Sequence, residues 1–188
     1  MKIENTLEQK WIRKIKIFGT KKEADLLVRA YYDEIYQYVC RQLYENNDTY
    51  DLTQEIFISM LQSIKSYKRE KASFRTWLYR IATNKIIDYQ RQYSTKSIPL
   101  GDTEISDEID FTKQIEKTDF LIKIEKYVSC FAPVVQQIYR LHVFGDFTFT
   151  QISSGLNIPE ATVKSHYYRL QKKIRKEFYH EYRELIGE

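Results

Sequence analysis

Apolar side chains recur every three or four residues along most of the chain. Leu27, Tyr31, Ile35 and Val39 form one series, Leu52, Ile56, Met60 and Ile64 a second, and Leu78, Ala82, Ile86 and Tyr89 a third. That spacing puts each set on one face of a helix. Asn46-Asn47-Asp48 interrupts the first two series, and Asp48 can cap the second helix by accepting from an orphan N–H of its first turn. The segment Tyr67–Lys71 is polar and loop-like, and Ser73 is placed to cap a third helix running to about Gln92. Three amphipathic helices with short connections predict a small bundle over residues 1–94.

The pattern stops at residues 95–118. Pro99, Gly101 and five acidic residues between Asp102 and Asp110 predict a linker that need not pack. Helical periodicity resumes at about Asp119, with one helix over Phe120–Val128. Pro133 suits the first turn of the next helix, and Gly145-Asp146 reads as a turn. Thr148 can cap a short helix over Phe149–Leu156, and Asn157 suits a left-handed turn. Pro159 opens a last helix predicted to reach about Leu185. Short helix, tight turn and longer basic helix make the outline of a helix-turn-helix in a second domain, residues 119–188. The predicted fold class is therefore all-α, two small helical domains joined by a flexible acidic linker.

Composition narrows the function classes. The net charge of +4 is distributed unevenly: +5 over residues 1–94, −3 over 95–118 and +2 over 119–188. Two basic blocks flank an acidic one, so the distribution of charge says more than the mildly basic total. Cys40 and Cys130 lie far apart in apolar helical context and read as buried thiols of a reducing compartment. His142, His166 and His180 lack zinc-ligand spacing, and no phosphate-binding Gly loop or nucleophile elbow occurs. No enzyme, no cofactor and no membrane insertion are expected, and a cytoplasmic location is.

Three polar faces remain as candidate sites. In the last helix Val163, Tyr167, Leu170 and Ile174 turn inward, leaving Thr162, Lys164, Ser165, His166, Tyr168, Arg169, Lys172 and Lys173 outside. Between Lys164 and Lys176 there are six Lys/Arg and no acid, which suits the major groove but also an ordinary solvated face. In the second helix Asp51, Glu55, Ile58 and Gln62 lie opposite the core, either a docking surface or plain solvent-facing residues. In the third, Arg80, Asn84, Ile87 and Arg91 share a face, with Lys85 and Asp88 alongside. Phe74 and Trp77 are read as core rather than as stacking platforms.

The exact strings add a resemblance. Ile158-Pro159-Glu160-Ala161-Thr162-Val163-Lys164-Ser165-His166 is similar to region 4 of sigma factors, especially the extracytoplasmic-function group of the sigma-70 family. It departs from that pattern at Ala161 for Gly, His166 for Arg, Leu170 for Ala and Asn157 for the usual turn Gly, and His166 removes a constant positive charge. Asp51-Leu52-Thr53-Gln54-Glu55-Ile56-Phe57 resembles region 2.2, Phe74-Arg75-Thr76-Trp77-Leu78-Tyr79-Arg80-Ile81-Ala82-Thr83-Asn84 resembles region 2.3, and Lys85–Gln92 stands in the place of region 2.4. The resemblance implies a promoter-specificity subunit that opens DNA by binding unpaired bases better than duplex. It implies core RNA polymerase as partner, with Asp51, Gln54, Glu55, Ile58 and Gln62 on the beta-prime clamp and the second domain on the beta flap. It assigns Arg80, Asn84, Lys85, Asp88, Arg91 and Gln92, with the loop to Ser97, to the minus-ten element. The basic face of the last helix goes to the minus-thirty-five element. Members of this group commonly have an anti-sigma protein, a further expected partner. The rival reading is a self-sufficient helix-turn-helix regulator that binds DNA without polymerase.

Overall fold

A computed structural model of the chain describes residues 5–43, 48–95 and 111–179, with 181 and 183. Its elements are α1 (Asn5–Phe18), α2 (Lys21–Leu43), α3 (Thr49–Ser63), a 3₁₀ turn (Ile64–Ser66), α4 (Phe74–Thr95), α5 (Phe111–Ser129), α6 (Pro133–Val143), α7 (Phe149–Leu156) and α8 (Glu160–Glu177). All regular structure among the described residues is helical. The predicted acidic stretch Asp102–Asp110 and the break at Asn46-Asn47 lie outside them, and the last helix, expected to reach about Leu185, ends at Glu177 with its C-cap at Phe178.

The predicted apolar series do form the core. Leu27, Ile35 and Val39 of α2, Ile56 and Met60 of α3, and Leu78, Ala82 and Ile86 of α4 are fully buried. Each large member of that set contributes about 1.5–3 kcal/mol by leaving water. Phe74 and Trp77 are core as expected: they meet Tyr67 with ring centroids 5.4 and 5.3 Å away. The capping signals also act. The Thr76 N–H donates to Ser73 Oγ at 3.1 Å, Thr148 and Gln151 form a reciprocal capping box, and Asn157 sits at φ 58°. Asp48 stands at the N-cap of α3 without a cap bond, and its carboxylate accepts from the Tyr89 hydroxyl instead.

Four features differ from expectation. The helix α1 was not anticipated; it packs on α2 through Ile12 and Ile15. The second helical run begins at Phe111 rather than Asp119, within a segment whose charge suggested a linker. Cys40 is half-buried and Cys130 exposed, since Cys130 falls in the turn that ends α5. Finally, the two halves share one core. Ile138, Leu141, Phe147, Ile152 and Val163 of the C-terminal half join the cluster built on α2–α4, with α4 packed against both α6 and α7.

Candidate nucleic-acid and protein interfaces

On α3, Asp51, Gln54, Glu55, Ile58 and Gln62 are all exposed, with Ile58 at 53%. A lone exposed isoleucine is ordinary on a protein surface, so the patch is defined as much by the carboxylates beside it. Tyr50, at 56% exposure, extends the same patch and was missed because an aromatic in a first helical turn reads as core. Glu55 reaches α4 through an ion pair to Lys85 at 3.3 Å, so this patch and the α4 face are contiguous.

The α4 face is largely engaged. Arg80 donates from Nη1 to the Gly155 carbonyl of α7 at 3.0 Å, and the Gln137 amide of α6 donates to the Asn84 side-chain carbonyl. Asp88 pairs with Arg91 at 2.9 Å. Ile87, expected outward with them, is buried, because the C-terminal half covers the middle of this helix. Asn84, Asp88, Arg91 and Gln92 are nonetheless exposed, and Arg80 and Lys85 are half-buried. Gln92 belongs to α4 itself rather than to a loop, and Lys96 and Ser97 of the expected loop lie outside the described residues.

The contact between halves joins residues of the quoted α4 strings to others, above all Arg140, that no sequence motif marks. Arg140 of α6 is fully buried. Its guanidinium donates to Gln42 Oε1 of α2 at 3.0 Å and to Gln90 Oε1 of α4 at 2.7 Å, and it pairs with Glu125 of α5 at 2.6 Å. Burial pushes the Glu125 carboxyl above its ordinary range, with Arg140 opposing. Phe147 inserts against Tyr79 with centroids 4.9 Å apart, and the Arg75 guanidinium lies over both rings at 4.5–4.6 Å while pairing with Glu34 at 2.5 Å. Gly155 lets α7 approach α4: a Cβ there would stand 2.5 Å from Thr76 Cγ2.

The α8 face is open by contrast. Thr162, Lys164, Tyr168, Arg169, Lys172 and Lys173 are exposed, and Ser165 and His166 are half-buried. Val163 and Leu170 point inward, as their spacing requires. Lys164 pairs with Glu160 one turn earlier at 2.6 Å, and the Thr150 hydroxyl donates to the same carboxylate at 2.8 Å. The Lys164 hydrogen bond, then that of Thr150, holds Glu160 below the usual carboxylate range. Lys173 lies over the Phe131 ring at 5.0 Å. Beside this face His142 stacks on Phe149 at 4.5 Å, and Tyr168 closes the aromatic wall. No group of three or more His, Cys, Asp or Glu that could hold a metal occurs among the described residues, nor is any described helix long and apolar enough to cross a membrane.

The chain is similar to known proteins. The profile of Sigma-70 region 2 matches residues 27–95, and that of Sigma-70, region 4 matches residues 122–174. The ECF RNA polymerase sigma factor SigW of Bacillus subtilis is 27% identical over 180 residues, covering 90% of this chain and 95% of that protein. The RNA polymerase sigma-H factor of Pseudomonas aeruginosa is 25% identical over 169 residues, covering 84% and 87%. The structure of CnrH in complex with the cytosolic domain of CnrY shares the fold, with a TM-score of 0.57 at 15% identity over 92% of this chain and 94% of CnrH.

Proposed function

The chain belongs to the extracytoplasmic-function group of the sigma-70 family and directs RNA polymerase to promoters, and from that premise we propose how its surfaces divide the task. The exposed α3 patch, centred on Glu55 and Ile58, docks on the beta-prime clamp. The α4 face, with Arg80, Asn84, Lys85, Asp88, Arg91 and Gln92, receives unpaired minus-ten bases. The basic face of α8 reads the minus-thirty-five element in the major groove, and the C-terminal half seats on the beta flap. The factor supplies no bond-making chemistry; opening is driven by tighter binding of single strand than of duplex.

The observation that carries this reading is the presence, in one chain and in order, of an open basic recognition helix and a polar face on α4. The same observation has a consequence. Arg80 and Asn84 are engaged by α7 and α6, so minus-ten reading requires the halves to part. The described arrangement is a closed form that polymerase opens. CnrH, which shares the fold, is complexed with the cytosolic domain of CnrY. That supports a protein partner here, and the anti-sigma protein expected of the group is the proposed one.

The test is capture of core polymerase followed by run-off transcription. The full chain should confer promoter-specific transcripts, and Glu55→Lys should lose core binding while costing under about 0.5 kcal/mol of folding stability. Specific promoter binding without polymerase, unaffected by its addition, would favour the self-sufficient regulator instead.

A further inference from the structure

The outward face of α1 has no part in the division of surfaces above. Ile12 and Ile15 of this helix turn inward and are buried. Glu8 is buried as well and accepts from the Tyr31 hydroxyl, while Glu23 at the start of α2 accepts from Lys14 Nζ at 2.7 Å. From Thr6 to Lys22 the chain carries six Lys/Arg and, apart from Glu8, no acid. At about 3.6 residues per turn, Lys10, Arg13, Lys14 and Ile17 lie opposite Ile12 and Ile15, with Leu7 and Phe18 at the edge. All six are exposed. Ile17 at 58% and Phe18 at 74% are the two most exposed large apolar side chains among the described residues. They end α1 where Gly19, at φ 62°, turns the chain into α2, and a Cβ on Gly19 would meet nothing within 4 Å. The apolar pair therefore sits on an open, convex corner, with exposed Lys21 and Lys22 on its far side.

A face made only of cations and wet apolar side chains needs a partner that is anionic and apolar at once. A nucleic-acid strand satisfies the cations but offers no cover for an aliphatic tip such as Ile17, which cannot stack on a base. A protein partner needs a hollow shaped to the corner and an acid placed against each cation. The surface of an anionic bilayer meets both demands without such matching. Its headgroup boundary admits a convex apolar tip, and its phosphates lie within reach of long, flexible Lys and Arg at any lateral position. Those side chains can keep their charge at headgroup level while their stems lie along the apolar boundary. The face covers one side of a single helix and its corner, so such a contact is peripheral.

We propose that the α1–α2 corner, with Ile17 and Phe18 as its inserted tips and Lys10, Arg13, Lys21 and Lys22 around them, binds the surface of an anionic lipid bilayer. The inference stands apart from the roles given to α3, α4 and α8, and its failure would leave those roles untouched.

The test is flotation of the full chain with vesicles of phosphatidylcholine, alone or with about 30% phosphatidylglycerol. The chain should bind the anionic vesicles about tenfold or more tightly than the neutral ones. Ile17→Ser with Phe18→Ser should weaken that binding about tenfold or more, because the inserted apolar area is lost. Lys10→Gln with Arg13→Gln should weaken it about fivefold per lost cation and reduce its salt dependence. All four positions are exposed, so thermal melting and capture of core polymerase should match those of the unaltered chain. A tryptophan introduced by Phe18→Trp should be quenched by lipids brominated on the upper acyl carbons, beyond the quenching of the unaltered chain. Equal binding to both kinds of vesicle would overturn the proposal. So would binding that is lost with the cations but kept without Ile17 and Phe18, the result of a basic chain adsorbing by charge alone. Vesicle binding unchanged in the Ile17, Phe18 variant while polymerase capture falls would overturn it too, and would make the corner a protein contact.

Discussion

The two helices proposed to read DNA are in opposite states. On α8 every predicted contact residue except Ser165 and His166 is exposed, whereas on α4 two of the central ones, Arg80 and Asn84, are bonded to the other half of the molecule. The difference follows from what lies behind each helix. The inner face of α8 packs within its own half on α6 and α7, which leaves its basic face to solvent. The helix α4 has one face in the N-terminal core and another against α6 and α7, so some of the polar residues proposed for DNA also serve a fold contact. In this arrangement the basic face of α8 is open to solvent, while Arg80 and Asn84 of α4 are held by hydrogen bonds to the other half.

Breaking that asymmetry should need one residue. Removing Arg140 leaves Gln42 and Gln90 without their donor and Glu125 buried beside no cation. Loss of one partner from such a buried pair costs about 3–5 kcal/mol, enough to part the halves. Arg140→Ala should lengthen the distance between fluorescent labels on α2 and α8, while minus-thirty-five binding by α8 persists. Labels that stay close would show that the apolar contacts at Phe147 suffice for closure.

Gly155→Ala probes the same interface by size alone. Its Cβ would stand 2.5 Å from Thr76 Cγ2, an overlap of the kind that costs about 1–3 kcal/mol. The expected outcome is a partly opened factor that releases Arg80 and binds a bubble template faster than the unaltered chain, read by stopped-flow fluorescence.

On the open side, Arg169→Ala should cost about 1–3 kcal/mol and relax preference at one upstream base position, measured across a set of substituted promoters. Lys172→Ala should weaken binding evenly across that set and reduce the salt slope by about 0.9, the signature of a lost phosphate contact.

The smallest effect is a pH dependence of closure. Burial raises the Glu125 carboxyl above its ordinary value of 4.5, so the closed form holds a proton more tightly than an open one. The stabilisation that protonation gives closure is complete below 4.5 and is lost as pH rises through the raised value. The labelled factor should close further between pH 7.5 and 5, and Glu125→Gln should remove the response.

Much of this was legible in the sequence for a local reason. A helix declares its apolar side through residues three and four apart, so the series at Leu27, Leu52 and Leu78 predicted both the helices and their buried faces. Caps are similarly local, and Ser73, Thr148 and Asn157 act as their residue types suggest. The strings around Glu55, Asn84 and Ser165 identified the family because their residue types and order match its motifs. The α3 and α8 candidates are exposed, but exposure alone assigns no role.

What the sequence by itself determined, then, was which residues face the core of each half and which family of surfaces the chain carries. Only the tertiary structure decided that the halves close on each other. An arginine in a helix pattern reads as solvated, yet Arg140 is fully buried because Gln42, Gln90 and Glu125, from three other helices, supply acceptors around it. The polar residues of α4 look alike whether they await DNA or a second domain, since both partners are met by hydrogen-bonding side chains. Periodicity records which side of a helix is apolar; it holds no information about which distant surface satisfies the polar side, and that choice is made only when the halves are brought together.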